Sequence, residues 1–169
     1  MDAMDCILTR RSIRKYTDDM IQDDIIDELL KAAMSAPAAG SQDPWHFILI
    51  KDRAVLEKVP EVHPYARMVP NAFAAILVCW DPTIEKHKGF GEQDCSAATE
   101  NILLAAQARG LGAVWLGCYP REDRVNGLRG LLGIPDHVIP FALIPFGRPD
   151  EEKGPALRWK EDRIHQDGW

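Results

Sequence analysis

The chain has 169 residues, of which 46% are hydrophobic, and a formal net charge of −6. This much apolar material supports one ordinary core, so we expect a single domain over residues 1–169. An acidic chain without a long basic stripe is not expected to bind nucleic acid. Its apolar runs are shorter than a membrane span, and its first residues lack the apolar core of a signal peptide. We therefore expect a cytoplasmic protein with no membrane partner.

Neither the four cysteines nor the five histidines follow the spacing of a disulfide framework or a metal site. No two cysteines form a CxxC pair, and no two histidines form an HExxH pair. We expect buried, reduced cysteines and no bound metal.

Hydrophobic periodicity predicts helices and strands that interleave along the chain. In chain order these are a helix over 1–11, a helix over 22–34, a strand over 45–51, a helical turn over 54–58, a strand over 74–80, a helix over 94–109, a strand over 113–118, a helix over 122–132 and a strand over 137–146. This order predicts an α/β or α+β fold with helices flanking one sheet. The tail over 147–169 is polar and shows no helix or strand pattern.

Two of these elements carry further expectations. The alanine-rich helix over 94–109 ends at Gly110, a good C-cap, and its small side chains place it at the centre of the structure or at a dimer seam. Pro140 and Pro145 make the last strand irregular or an edge strand, because proline cannot donate to a ladder.

A basic cluster near the N-terminus, Arg10-Arg11-Ser12-Ile13-Arg14, stands out against the acidic background. Arginine and serine donors match the oxygens of a phosphate or a carboxylate, and so short a cluster favours a small anionic ligand. A solvated basic helix end is the alternative. Arg158 could complete an anion site from the tail, unless the tail pairs its arginines with nearby glutamates.

Two segments rich in small residues could also bind a ligand, although each could be an ordinary connection. The loop over 36–45 would let a flat ligand approach its backbone closely. The segment Gly110–Gly117 closes a helix and opens a strand, so it is not the dinucleotide-binding fingerprint, and it lacks the GK[ST] of a P-loop.

Together and in this order, the segments resemble the nitroreductase family of FMN-dependent oxidoreductases. The matching stretches are RRSIRKY at 10–16, APAAGSQDPWHF at 36–47, HPYA at 63–66, GLGAVWLG at 110–117 and FGRP at 146–149, with Arg158 beyond. The resemblance covers essentially the whole chain. The sequence departs from the family pattern in the loop over 36–45, where Ala38, Ser41 and Asp43 replace the serine, asparagine and glutamine often found in the family.

The resemblance implies an α+β fold, a three-layer sandwich with a central, mostly antiparallel sheet flanked by helices. It also implies a homodimer with FMN at the interface and a C-terminal arm, residues 147–169, that extends onto the partner subunit. The FMN phosphate would be bound by Arg10, Ser12 and Arg14, with Arg11 on the phosphate or the flavin and Arg158 from the tail. The flavin ring would lie along Trp115, Leu116 and Gly117, near His63 and Tyr65, and against the partner's loop with Pro37, Ala38, Ala39 and Ser41.

The implied activity uses NADH or NADPH as the electron donor and a small-molecule acceptor such as a nitroaromatic, a quinone or another flavin. Donor and acceptor would occupy the same place in turn, by ping-pong hydride transfer, with no dedicated catalytic side chain. A flavin-binding or flavin-sequestering dimer without this turnover is the competing hypothesis. A flavin-cleaving or dehalogenating relative is disfavoured, because this chain has little room for a lid.

Overall fold

The computed structural model describes residues 1–154 and 156–169, and in them five strands pair, all antiparallel, into one sheet. The strands are β1 (Trp45–Ile50), β2 (Ala74–Trp80), β3 (Gly112–Ala113), β4 (Leu116–Gly117) and β5 (Ile139–Gly147). Their order is β1-β2-β5-β3, and β4 pairs with β5 beside β3. The helices are α1 (Ala3–Thr9), α2 (Asp23–Met34), α3 (Arg53–Val62), α4 (Gly91–Ala108) and α5 (Glu122–Leu132).

Helices cover both faces of the sheet, which explains why β2 is an uninterrupted apolar run. Along β2, alternate side chains such as Ile76 and Val78 pack with α2 and α4. The intervening side chains, such as Leu77, pack with α3 and α5 on the other face. The α+β sandwich expected from the sequence is therefore confirmed.

The alanine-rich helix α4 lies at the centre of the molecule, between α2 and the sheet. Ala98, Ile102 and Ala106 are completely buried, and Gly110 adopts a left-handed conformation just beyond the helix end. Small side chains allow this close helix–sheet contact, as the sequence predicted.

The last strand is irregular, as expected, but it is not an edge strand. β5 lies between β2 and the short strands β3 and β4. Its register against β2 shifts near Pro140. Pro145 lies opposite the break between β3 and β4, where no ladder hydrogen bond would need the N–H that proline lacks. The same break makes the prediction of one continuous strand over 113–118 wrong.

Two predicted helices have different lengths in the structure. α3 runs over ten residues, through Pro60, instead of a single turn, and the Asp52 side chain caps its N-terminus. α1 ends at Thr9, so Arg10 and Arg11 lie outside it. Among the described residues, no helix combines the length and apolarity needed to cross a bilayer.

Candidate functional site

A cavity of about 620 Å³ opens between β4, α5 and the segment that follows α3. A volume of this size is typical of small-molecule and cofactor sites. The cavity brings together six residues singled out from the sequence and four that were not. The six are Arg14, His63, Tyr65, Trp115, Leu116 and Gly117, and the four are Pro64, Arg67, Met68 and Arg124.

His63 forms a buried part of the wall, whereas Tyr65 stands at the mouth with 67% of its surface exposed. The Nδ1 atom of His63 accepts the Tyr65 N–H at 3.3 Å, which leaves Nε2 to donate to the Gly117 carbonyl oxygen at 3.1 Å. Burial lowers the pKa of His63, and the nearby Arg124 charge acts in the same direction. The ring is therefore neutral at pH 7 and serves to hold the Gly117 peptide in place.

Arg124 is the main site residue that the sequence analysis missed. It lies in the first turn of α5, and its guanidinium donates to the same Gly117 carbonyl at 2.7 Å. The guanidinium carbon also lies 5.2 Å from the centre of the Tyr65 ring, a cation–π distance. A cation in the first turn of a helix is unfavourable, because the helix dipole is positive at that end. This unfavourable position was the signal in the sequence that could have identified Arg124.

The basic segment reaches the cavity through Arg14 alone. Ile13 and Tyr16 are buried on either side of it, and the Tyr16 hydroxyl donates to the Ile13 carbonyl at 2.8 Å. The Ile13 N–H bonds to the Ala113 carbonyl at 3.0 Å, so the segment runs beside β3 with Ser12 bridged to Ala113. This anchoring leaves the Arg14 side chain exposed at the cavity.

The other two arginines of the segment contact protein groups. The Arg10 guanidinium pairs with Glu100 at 3.3 Å, and that of Arg11 donates to the Gly154 carbonyl. The carboxylate that pairs with Arg10 therefore comes from α4.

The beginning of the tail runs along this basic segment. Lys153 donates to the Ser12 carbonyl at 2.6 Å and pairs with Glu151 at 3.0 Å. Glu151 in turn accepts the Arg14 backbone N–H at 2.6 Å. Sequence reasoning missed both tail residues. The Arg14 backbone N–H is therefore already satisfied by a carboxylate of the same chain, and its side chain remains for a ligand.

Arg158 lies farther along the tail and is exposed, and among the described residues no hydrogen bond or ion pair joins it to the basic segment. The neighbouring apolar side chains Leu157, Trp159 and Trp169 are also exposed. Within one chain, the structure therefore does not bring Arg158 to the anion site.

The loop with Pro37, Ala38, Ala39 and Ser41 does not line the cavity of its own chain. The buried Asp94 carboxylate fixes it, accepting the Ala39 N–H at 3.0 Å and the Gln42 side-chain amide at 2.6 Å. The Gln42 oxygen accepts the N–H groups of Lys86 and His87. Ser41 has a positive φ, a strained conformation that this network maintains.

Charge is distributed unevenly around the cavity. Arg14, Arg67 and Arg124 all line it, and no aspartate or glutamate is among the described lining residues. The chain as a whole is negative. Uncompensated guanidinium groups in a concave site suit an anionic ligand.

Comparison with known proteins gives the family. Residues 7–70 and 65–148 match the Nitroreductase family. A relative from Methanothermobacter thermautotrophicus, provisionally named NADH dehydrogenase/NAD(P)H nitroreductase, is 54% identical over 100% of this chain and 88% of its own length. A solved structure from Parabacteroides distasonis with the same provisional name superposes with a TM-score of 0.94 at 40% identity, covering 99% of this chain and 98% of that one.

A further solved structure contains a ligand. The protein from Desulfovibrio desulfuricans, provisionally named a nitroreductase, is in complex with FMN. It superposes with a TM-score of 0.86 at 29% identity, covering 100% of this chain and 98% of the other.

Proposed function

Because this chain belongs to the nitroreductase family, we propose that it is an FMN-dependent oxidoreductase that uses NADH or NADPH to reduce nitroaromatics, quinones or related acceptors. The observation that carries the proposal is the cavity, which combines Arg14 from the basic segment with Tyr65, Trp115 and Gly117. The FMN in the Desulfovibrio desulfuricans neighbour supports the choice of cofactor.

The cavity fits FMN in charge and in shape. Its arginines suit a phosphate, and Tyr65 and Trp115 offer aromatic surface to a flat ring. A Cβ atom added to Gly117 would meet no atom within 4 Å, so the strand presents bare backbone to open space. A side chain there would fill the room that a ring needs.

The chain's residues divide between the two ends of the cofactor. Arg14 would make the main contact to the phosphate, because its guanidinium has no protein partner among the described residues. Arg10, Arg11 and Ser12 would contact the phosphate beside it. Arg158 would join them once the tail is placed on a partner. Trp115, Leu116, Gly117, His63 and Tyr65 would contact the ring, and Pro37, Ala38, Ala39 and Ser41 would cover it from the partner subunit.

When FMN is bound, it supplies the redox chemistry, taking electrons from the nicotinamide and passing them to the acceptor. The protein contributes position and charge. Neutral His63 and cationic Arg124 both donate to the Gly117 carbonyl, which fixes the backbone next to the ring. The Arg124 cation also favours negative charge that develops in this part of the cavity. Donor and acceptor use one open face in turn, which gives ping-pong kinetics.

A homodimer completes the proposed site, because the 37–41 loop lies outside the cavity of its own chain. Exposed apolar side chains on α1 (Met4, Ile7 and Leu8) and on the tail (Leu157, Trp159 and Trp169) suit burial by a second copy. The arm over 147–169 would reach across the same interface. All four cysteines are free and buried, which suits a reducing cytoplasm.

Titration of the apoprotein with FMN, followed by flavin fluorescence, tests the cofactor assignment. Arg14→Ala should weaken FMN binding at least about tenfold, the effect of one charge-assisted hydrogen bond. Arg121→Ala, which removes a charge on the same domain but outside the cavity, is the matched control. Equal FMN affinity in the two variants would refute the role of Arg14.

Steady-state kinetics with NADPH and a quinone tests the reaction itself. The proposal predicts parallel double-reciprocal lines, the pattern of ping-pong turnover. A wild-type protein that binds FMN tightly but turns over neither NADH nor NADPH would instead support the flavin-sequestering dimer.

A further inference from the structure

The cavity carries more positive charge than one phosphate site requires. Of its three arginines, Arg14 belongs to the basic segment, and Arg67 follows Tyr65 by two residues. Met68 packs against Ile13 and Tyr16, which brings this part of the 63–68 segment to the Arg14 end. Arg124 is at the other end, where it contacts Gly117 and Tyr65. The Arg124 charge therefore calls for an explanation of its own.

Arg124 is held in place, but most of its hydrogen-bond donors are unused. Its one hydrogen bond among the described residues goes to Gly117, although a guanidinium has five N–H donors. Its Nε atom is buried without a hydrogen-bond partner in the part of the chain that the structure describes. No carboxylate of the cavity lining neutralises it. A fixed cation with unused donors is suited to bind an anionic group.

Tyr65 adds a second recognition element at the same position. Its ring is exposed at the mouth of the cavity, and the Arg124 guanidinium carbon is 5.2 Å from the ring centre. The guanidinium lies over the ring, so the pair offers a cation next to the aromatic surface that the guanidinium leaves uncovered. A ligand that matches both has an aromatic ring with an acidic group attached directly to it.

We propose that Arg124 and Tyr65 form a substrate subsite for aromatic electron acceptors that carry an anionic group, such as a carboxylate or a sulfonate, on the ring. This inference rests on the proposed function, because the acceptor must reach the same cavity. The acceptor fits better than the electron donor, since a ribose separates the nicotinamide ring from its nearest phosphate. Arg124 contacts the Tyr65 ring directly, so an anionic group that reaches Arg124 must be attached to the ligand's ring without an intervening sugar.

Binding to the oxidised, FMN-loaded protein tests the subsite without turnover. Benzoate and benzamide have nearly the same shape and differ in charge, so each is titrated against the flavin absorbance. We expect benzoate to bind about tenfold more tightly than benzamide. Arg124→Gln, which keeps a donor for Gly117 but loses the charge, should abolish this preference, and Arg124→Lys should restore part of it. Arg121→Gln, the same charge change outside the cavity, should leave the preference intact.

Turnover of para-nitrobenzoate and para-nitrobenzamide gives the kinetic counterpart. The wild type should have the higher kcat/KM for the carboxylate, through a lower KM, and Arg124→Gln should equalise the two acceptors. Equal affinity of the wild type for benzoate and benzamide would overturn the subsite. A raised KM for NADPH alone in Arg124→Gln would also overturn the subsite, because the anion that Arg124 binds would then be a phosphate of the donor. A wild type that fails to bind FMN or to oxidise NADPH overturns the proposed function instead.

Discussion

Replacing Asp94 by alanine should destabilise the protein through the loop over 37–43. The Asp94 carboxylate accepts the Ala39 N–H at 3.0 Å and the buried Gln42 amide at 2.6 Å. Each buried donor left without an acceptor costs about 1–3 kcal/mol, and water can reach the less buried Ala39 N–H. The expected loss in unfolding free energy is therefore about 2–4 kcal/mol. For a chain of this length that corresponds to a fall in Tm of about 4–16 °C.

Circular dichroism melts without added FMN measure this effect, because stabilisation by bound FMN would itself change with the affinity of each variant. Glu57→Ala removes an exposed carboxylate from α3 and is the matched control, expected to change the unfolding free energy by less than about 0.5 kcal/mol. Because Asp94 fixes the loop proposed to cover the partner's flavin, Asp94→Ala should also weaken FMN binding. An Asp94→Ala protein that melts together with the Glu57→Ala control would refute this reasoning.

Two further predictions concern stability. Burial alone would raise the pKa of Asp81, but the hydrogen bonds from Thr83 and His46, together with the His137 charge, outweigh it and lower that pKa. Ionised Asp81 therefore stabilises the fold above its unfolded pKa of about 3.9, and this contribution is lost as the pH falls through the lower folded value. The difference in unfolding free energy between wild type and Asp81→Asn should shrink below about pH 4 in urea titrations, and a constant difference would contradict the assignment. Gly112→Ala places a Cβ 2.5 Å from Ile13 and should cost about 1–3 kcal/mol, whereas Gly130→Ala, with open space in α5, should be neutral or stabilising by up to about 1 kcal/mol. Urea melts showing equal effects would mean that the approach of Ile13 to Gly112 is not tight.

Local sequence was sufficient to predict most of the fold, because the spacing of apolar residues and the positions of glycine and proline that end elements are local properties. The apolar run of β2 and the alanine-rich pattern of α4 each predicted an element and its burial correctly. The rule for proline left an irregular strand and an edge strand open for β5. The strand is irregular but internal, and its place in the sheet depends on partner strands that the rule does not consider. The break between β3 and β4 is a property of the sheet that no local pattern shows.

The candidate site was predictable where a motif was contiguous, and unpredictable where contacts join distant residues. Arg14 and Trp115–Gly117 were found from their own segments, and the cavity brings them together. Lys153 contacts Ser12 across 141 positions, and Glu151 contacts Arg14 across 137. Arg124 belongs to no motif, and its relation to Gly117 exists only in the folded chain.

Anaerobic titration of the FMN-loaded protein with NADPH, and in a second experiment with NADH, tests the central claim most directly. The account predicts that one equivalent of at least one of these donors bleaches the yellow absorbance of the bound flavin. Adding a quinone should then restore the colour before any oxygen is admitted. Flavin that stays yellow with both donors would contradict the claim that this chain is an NAD(P)H oxidoreductase.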